Sequence, residues 1–146
     1  MNAQAENPHG MGISIGGVYL SDDEKIAPGL QLEYEYHFSI GQTAYFYWFA
    51  VENVFTHERH ISFATGFGFD IFENFSLNIG PGLVMHGEKL MFSAVLGLER
   101  PYCLGRFSLG PVMEIAYIGN RGDHSHYMLG LNIGYSFSNN ETRIMH

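Results

Sequence analysis

Two short runs in this chain set imidazoles close enough together for both to reach one ion, His57-x-x-His60 and His124-x-His126. Glu58 and Asp123 accompany them, and neutral imidazole beside carboxylate is a donor set that suits zinc, copper or nickel. A second group of titratable side chains is scattered along the chain but shares one phase of a period-two alternation: Glu33, Glu35, His37, Asp70, Glu99, Arg106 and Glu114. Gathered in a space screened from bulk water, these acids must carry protons or pair with Arg106, Lys89 and His37. Such a set serves either a proton or cation path or a polar network that plugs the space. A third run, Asp123-His124-Ser125-His126, holds the residue types of a hydrolase triad. Neighbours in one loop rarely face one another, however, and no Gly-x-Ser-x-Gly occurs. The glycines of Gly66-Phe67-Gly68 and Gly80-Pro81-Gly82 precede no helix, so they form no phosphate loop. Cys103 is the single cysteine and reads as an incidental thiol. The expectation is a protein that is not an enzyme and needs no cofactor.

The elements that must position these groups are strands. Period-two alternation recurs from Gly10 to Phe137 with no convincing helical period between. The last segment is the clearest: Tyr127, Leu129, Leu131, Ile133, Tyr135 and Phe137 share one face, and Met128, Gly130, Asn132, Gly134 and Ser136 the other. Segments of this kind predict eight strands, near 11–20, 30–40, 44–52, 61–71, 75–85, 90–99, 106–117 and 127–137. Their lengths suit a tilted strand that crosses a membrane. Connections 41–43, 73–74 and 100–105 are short, whereas 21–29, 53–60 and 118–126 are longer and charged; the one near 86–89 is short as well. His57, His60, His86, His124 and His126 all map to the longer-connection rim. Two features sit awkwardly. Pro81 and Pro111 each remove a ladder hydrogen bond inside an expected strand, and the third strand carries Phe46 and Trp48 on one face against Tyr45, Tyr47 and Phe49 on the other, which asks for a bulge or a shifted boundary.

Composition decides which face meets what. Of 146 residues, 46% are apolar and only 15% charged, against about 25% in ordinary soluble domains. The minor face is largely Gly, Ala, Ser and Asn, too small and uncharged for a solvated exterior, but suited to the narrow lumen of an eight-stranded barrel. The large apolar face then meets lipid, with Tyr19, Tyr45, Tyr47, Tyr117, Tyr127 and Tyr135 near strand ends as interfacial girdles. The fold class expected is all-β, an eight-stranded antiparallel up-and-down transmembrane barrel over residues 10–137. A net charge of −8 with no cluster among the seven Lys and Arg excludes a nucleic-acid partner. Ala3-Gln4-Ala5 fits the end of a secretory signal, so residues 1–9 are expected to be a disordered remnant of cleavage, and 138–146 a polar tail.

The run His126-Tyr127-Met128-Leu129-Gly130-Leu131-Asn132-Ile133-Gly134-Tyr135-Ser136-Phe137 resembles the closing strand of small bacterial outer-membrane barrels, which ends in an aromatic residue. From about Gly10 onward the chain is similar to the porin-like OmpA-transmembrane and OmpX families. The resemblance implies a bacterial outer-membrane location and, as partners, outer-membrane lipid, lipopolysaccharide and the assembly machinery; a monomer is expected. Functions in these families range over anchoring, adhesion, lipid modification and solute passage. The reading is therefore a structural or surface-interaction role with a closed polar interior. Its alternatives are passage of a small solute, ion or proton, and metal binding at an extracellular rim through His57, His60, His124 and His126, where protonated imidazoles could equally hold lipid phosphate.

Overall fold

The computed structural model describes residues 8–21, 24–72, 75–119 and 124–137, apart from the side chains of Phe72 and His124. The strands are β1 (His9–Leu20), β2 (Lys25–Ile40), β3 (Thr43–Val54), β4 (His60–Phe72), β5 (Phe75–His86), β6 (Lys89–Glu99), the short β7 (Tyr102–Leu104), β8 (Phe107–Ile118) and β9 (His124–Ser136). Each long strand pairs antiparallel with its neighbours; β9 pairs with β1, and β6 pairs with β8. Eight long strands thus close into a barrel, and β7 continues the wall beyond β6, pairing with β8 in the same register after a break at Arg100-Pro101. Tight hairpins turn on Gly41 and Gly87 at φ of 64° and 62°, a region that glycine enters without the Cβ penalty.

Side-chain alternation sorts the residues as the pattern predicts. Met11, Ile13, Ile15, Leu129, Leu131 and Ile133 face outward, and Phe92 is 74% exposed. Eleven to sixteen residues per long strand at a tilt of about 40° reach across an apolar band of about 25 Å. Aromatic rings gather at both ends of the wall: Tyr19 lies against Tyr127 at one, and Phe38, Tyr45, Phe107, Tyr135 and Phe137 form ring contacts at the other.

Several boundaries move. β1 begins at His9, and the backbone N–H of His37 donates to Pro8 O at 2.8 Å, so order starts before residue 10. β2 and β3 extend to Lys25 and Val54, which leaves 21–24 and 55–59 as the connections where longer loops were expected. The contrast between the two ends correspondingly shrinks. On the end expected to carry short turns, most of the expected connection 100–105 is strand: β7 continues the β6 register along β8, and the chain reverses in a two-residue turn at Gly105-Arg106.

Both prolines sit where the ladder already lapses. Pro81 pairs in register with Ala94, while the β4–β5 ladder breaks opposite it, between Ala64↔Gly82 and Phe67↔Ile79. Pro111 lies where β6 has ended, and its carbonyl still accepts from the Arg100 N–H at 3.1 Å. The third strand needs no bulge, and its longer span keeps both sets of aromatics in phase. Phe46 and Trp48 point inward and are buried, opposite Gly68 and Gly66 of β4 in a regular register. A Cβ on Gly68 would sit 2.0 Å from Phe46 Cζ, so glycine on one strand makes room for the ring on the next.

Candidate functional site

The lumen is where inward side chains of all eight long strands meet, and it is partly apolar. Phe46, Trp48, Ala50 and Val95 form one buried cluster, flanked by Ala64 and Ala116; Val18, Leu20, Ala27, Val54 and Met128 form another. The interior is therefore more apolar than the closed polar interior expected. The hydrophobic clusters arise because inward positions on β1 and β3 carry large apolar side chains that the minor-face composition concealed.

Polar groups occupy the remaining space in two places. Toward the end that holds the 41–42 turn, Glu33, Glu35 and Glu99 bring carboxylate oxygens within 4.8 Å of one another, and His37 Nε2 lies 2.7 Å from Glu35 Oε2. Toward the opposite end, Gln31 Nε2 donates to Glu114 Oε2 at 3.2 Å and Ser62 Oγ donates to Glu52 Oε1 at 3.3 Å. Between the two lies the buried pair Asn132 Nδ2 and Ser14 Oγ, donor and acceptor at 2.7 Å. Each of these pairs gives a donor and an acceptor a partner away from water, which lets them fill a lumen at little cost, whereas Asn78 Oδ1 is buried without a hydrogen-bond partner.

Of the seven residues expected inside, Glu33, Glu35, His37, Glu99 and Glu114 are inward. Asp70 and Arg106 are not. Asp70 is exposed near the end of β4, where it accepts from Ser76 Oγ at 2.7 Å. Arg106 is exposed in the turn after β7 and donates to the Tyr135 hydroxyl at 3.5 Å. In both, alternation gives the right phase but the strand has run out of lumen, so the side chain reaches water.

The expected rim histidines separate. His57 is exposed in the 55–59 connection. His124 opens β9, paired in register with Ile118, and its side chain lies outside the described residues, as does Asp123. His60 and His126, by contrast, lie in strands and are buried, at 1% and 6% exposure. Their rings meet at 4.4 Å between centroids although β4 and β9 are four strands apart in either direction around the barrel. His86 packs edge-on against His60 at 5.3 Å and holds Glu58 Oε2 at 2.9 Å through its Nε2. Ser125 is backbone-tied to Ser21 at the start of β9.

Glu52 is the residue that sequence reasoning missed. It is buried on β3 beside Ser62, and one ligand atom each from Glu52, His60 and His126 lies within 4.8 Å of the others. The phase Phe46, Trp48, Ala50, Glu52 carried the signal, but aromatics on both faces of that strand obscured which side was inward. Glu52, Glu114, Gln31, Ser62, Ser93 and His126 line a small cavity together with apolar neighbours. Its free volume of about 10 Å³ is roughly that of one water.

No family model matches this chain, and no curated protein matches it in sequence. Solved structures do. The N-terminal β-barrel domain of Pseudomonas aeruginosa OprF aligns with a TM-score of 0.60 at 12% identity, over 90% of this chain and 100% of that one. Neisserial surface protein A aligns with a TM-score of 0.57 at 11% identity, over 89% and 97%. The Yersinia pestis outer-membrane protein Ail, in a phospholipid bilayer nanodisc, gives 0.50 at 20% identity, over 88% and 99%. At these identities the likeness is one of fold: the chain has the architecture of small eight-stranded outer-membrane β-barrels.

Proposed function

We propose that this chain is a bacterial outer-membrane barrel whose role is structural or surface-interacting, not enzymatic, with an interior that does not conduct. The observation that carries the reading is the pairing of an apolar outer wall with a lumen filled by Phe46, Trp48, Val95 and hydrogen-bonded polar side chains. Water cannot solvate so continuous an apolar exterior, and a bilayer supplies the solvent it lacks. The partners that follow are outer-membrane lipid, lipopolysaccharide during assembly and the machinery that folds such barrels, with the chain acting as a monomer. In the usual orientation for this fold the end bearing the 55–59 connection faces outward.

Passage of an ion or proton is the competing reading, favoured by the inward carboxylates Glu33, Glu35, Glu99 and Glu114. Conductance of the refolded chain in planar bilayers separates the two. A silent membrane at any applied potential is the outcome expected here; steady unitary currents abolished by Glu35→Gln would establish passage instead. A gel shift between boiled and unboiled samples, formed only in detergent or lipid, checks that the barrel has folded before either result is read.

A further inference from the structure

We propose that Glu52, His60 and His126 form a buried binding site for one divalent transition ion, of the class that imidazole and carboxylate ligate together, zinc above all. The three groups come from β3, β4 and β9: the β3–β4 ladder sets Glu52 beside His60, and closure of the barrel brings His126 to them. All three are buried, and their ligand atoms lie within 4.8 Å of one another. A tetrahedral ion with bonds of about 2.0–2.2 Å sets its ligand atoms roughly 3.3–3.5 Å apart, a contraction that side-chain rotation can supply. Two histidines and one glutamate leave a fourth position open, as zinc sites with three protein ligands do. The cavity beside Glu52 and His126, with free volume of about 10 Å³, holds about one water for that position.

Charge points the same way. Glu52 and Glu114 line that cavity, and neither lysine nor arginine is among its lining residues. Two carboxylates set in such a space need a cation or protons. A divalent ion beside both brings the site to neutrality. Ser62 Oγ, donating to Glu52 Oε1 at 3.3 Å, would orient that ligand, and Gln31 does the same for Glu114. His86 packs on His60, and the 5.3 Å ring contact limits its rotation. This set differs from the exposed rim, because His57 plays no part in it.

The test uses the full chain refolded in detergent micelles, stripped with chelator and checked by heat-modifiable mobility. Zinc retained after dialysis is measured by elemental analysis, and cobalt is added as the optical probe. We expect one ion per chain, an intense visible cobalt band of tetrahedral type, and a higher urea midpoint with zinc present. Glu52→Gln and His126→Gln should each weaken zinc binding by more than the roughly 10–100-fold usual when a residue that only hydrogen-bonds a ligand is changed, and Ser62→Ala by about 10-fold; His57→Ala should change nothing. If a ligand variant does not fold, the cobalt spectrum and zinc stoichiometry of the unaltered chain decide. Absence of retained zinc with an aqueous, six-coordinate cobalt spectrum overturns the site. Binding that survives Glu52→Gln and His126→Gln but is lost with His57→Ala also overturns it, placing the ion on the loops.

Discussion

Where one strand of this barrel crosses close to the next, single atoms decide whether it closes. A Cβ on Gly66 would stand 2.0 Å from Ile79 O, and one on Gly80 would stand 1.8 Å from Thr65 O. Gly16 and Gly130 meet in the same way on the β1–β9 side, with 2.4 Å to Leu129 O and Ile15 O. These are backbone atoms, so nothing flexible can yield. Gly66→Ala and Gly80→Ala are expected to cost at least the upper end of the roughly 1–3 kcal/mol typical of overpacking, read as a lowered urea midpoint of the unboiled band. Gly17→Ala is the control: its Cβ would meet only Ile26 Cγ2, at 3.5 Å, and it should stay within about 0.5 kcal/mol. Trp48, whose Nε1 donates to Phe67 O at 3.3 Å, fills the lumen above Gly66. Trp48→Ala should cost about 3–5 kcal/mol in the same titration. Single-residue chemistry was legible only in part. The inward phase of Glu33, Glu35 and Glu114 could be read from alternation, but the burial of Glu52 could not, because Tyr45, Phe46, Tyr47, Trp48 and Phe49 form an unbroken aromatic run.

Among the strands, the weak seam lies between β6 and β8. Their ladder spans Ser93–Glu99 against Val112–Ile118 and resumes only as the three pairs of β7, whereas β8 and β9 pair without a break from Phe107 to Ile118. The break falls at Arg100-Pro101, opposite Pro111, which accepts from the Arg100 N–H but has no N–H to donate back. Opening free energy follows the hydrogen bonds and packing that must be given up. Amide exchange in micelles should therefore be fastest, among the inter-strand ladders, for the amides of β6 and β8 that face each other, and slowest along β1–β2. Equal protection around the ring would show that lipid, not ladder length, sets the opening. Strand existence and number were readable because each hairpin carries its own alternation and turn residues. Strand ends were not: Lys25, Ile26 and Ala27 join β2 only because Leu20, Tyr19 and Val18 lie opposite to pair with them.

For the molecule as a whole, the outer wall distinguishes a membrane barrel from a soluble one. Leu131 faces outward near the middle of β9, 56% exposed. In a bilayer Leu131→Arg should cost about 2–4 kcal/mol. On a soluble surface it would fall within about 0.5 kcal/mol, so unfolding titrations in lipid vesicles settle the matter. Conductance tests the interior at the same scale. The unaltered barrel is expected to be silent, and removing both lumen rings, with Phe46→Ala and Trp48→Ala together, should admit intermittent currents in any barrel that still folds. Persistent silence in a folded double variant would mean that the polar pairs around Glu114 and Asn132 seal the lumen unaided.

Period-two alternation is a local property of extended chain, and it suffices to say that this protein is all-β, which side chains share a face and which face is too apolar for water. It carries no information about distance across a lumen. His60 and His126 stand 66 positions apart in sequence and on opposite strands of the ring, and no local pattern links them. They meet because eight strands close with one particular stagger, which sets the height at which each inward side chain enters the shared space. Burial of Glu52, exposure of Asp70 and Arg106, and the filling of the lumen by Phe46 and Trp48 all follow from that closure.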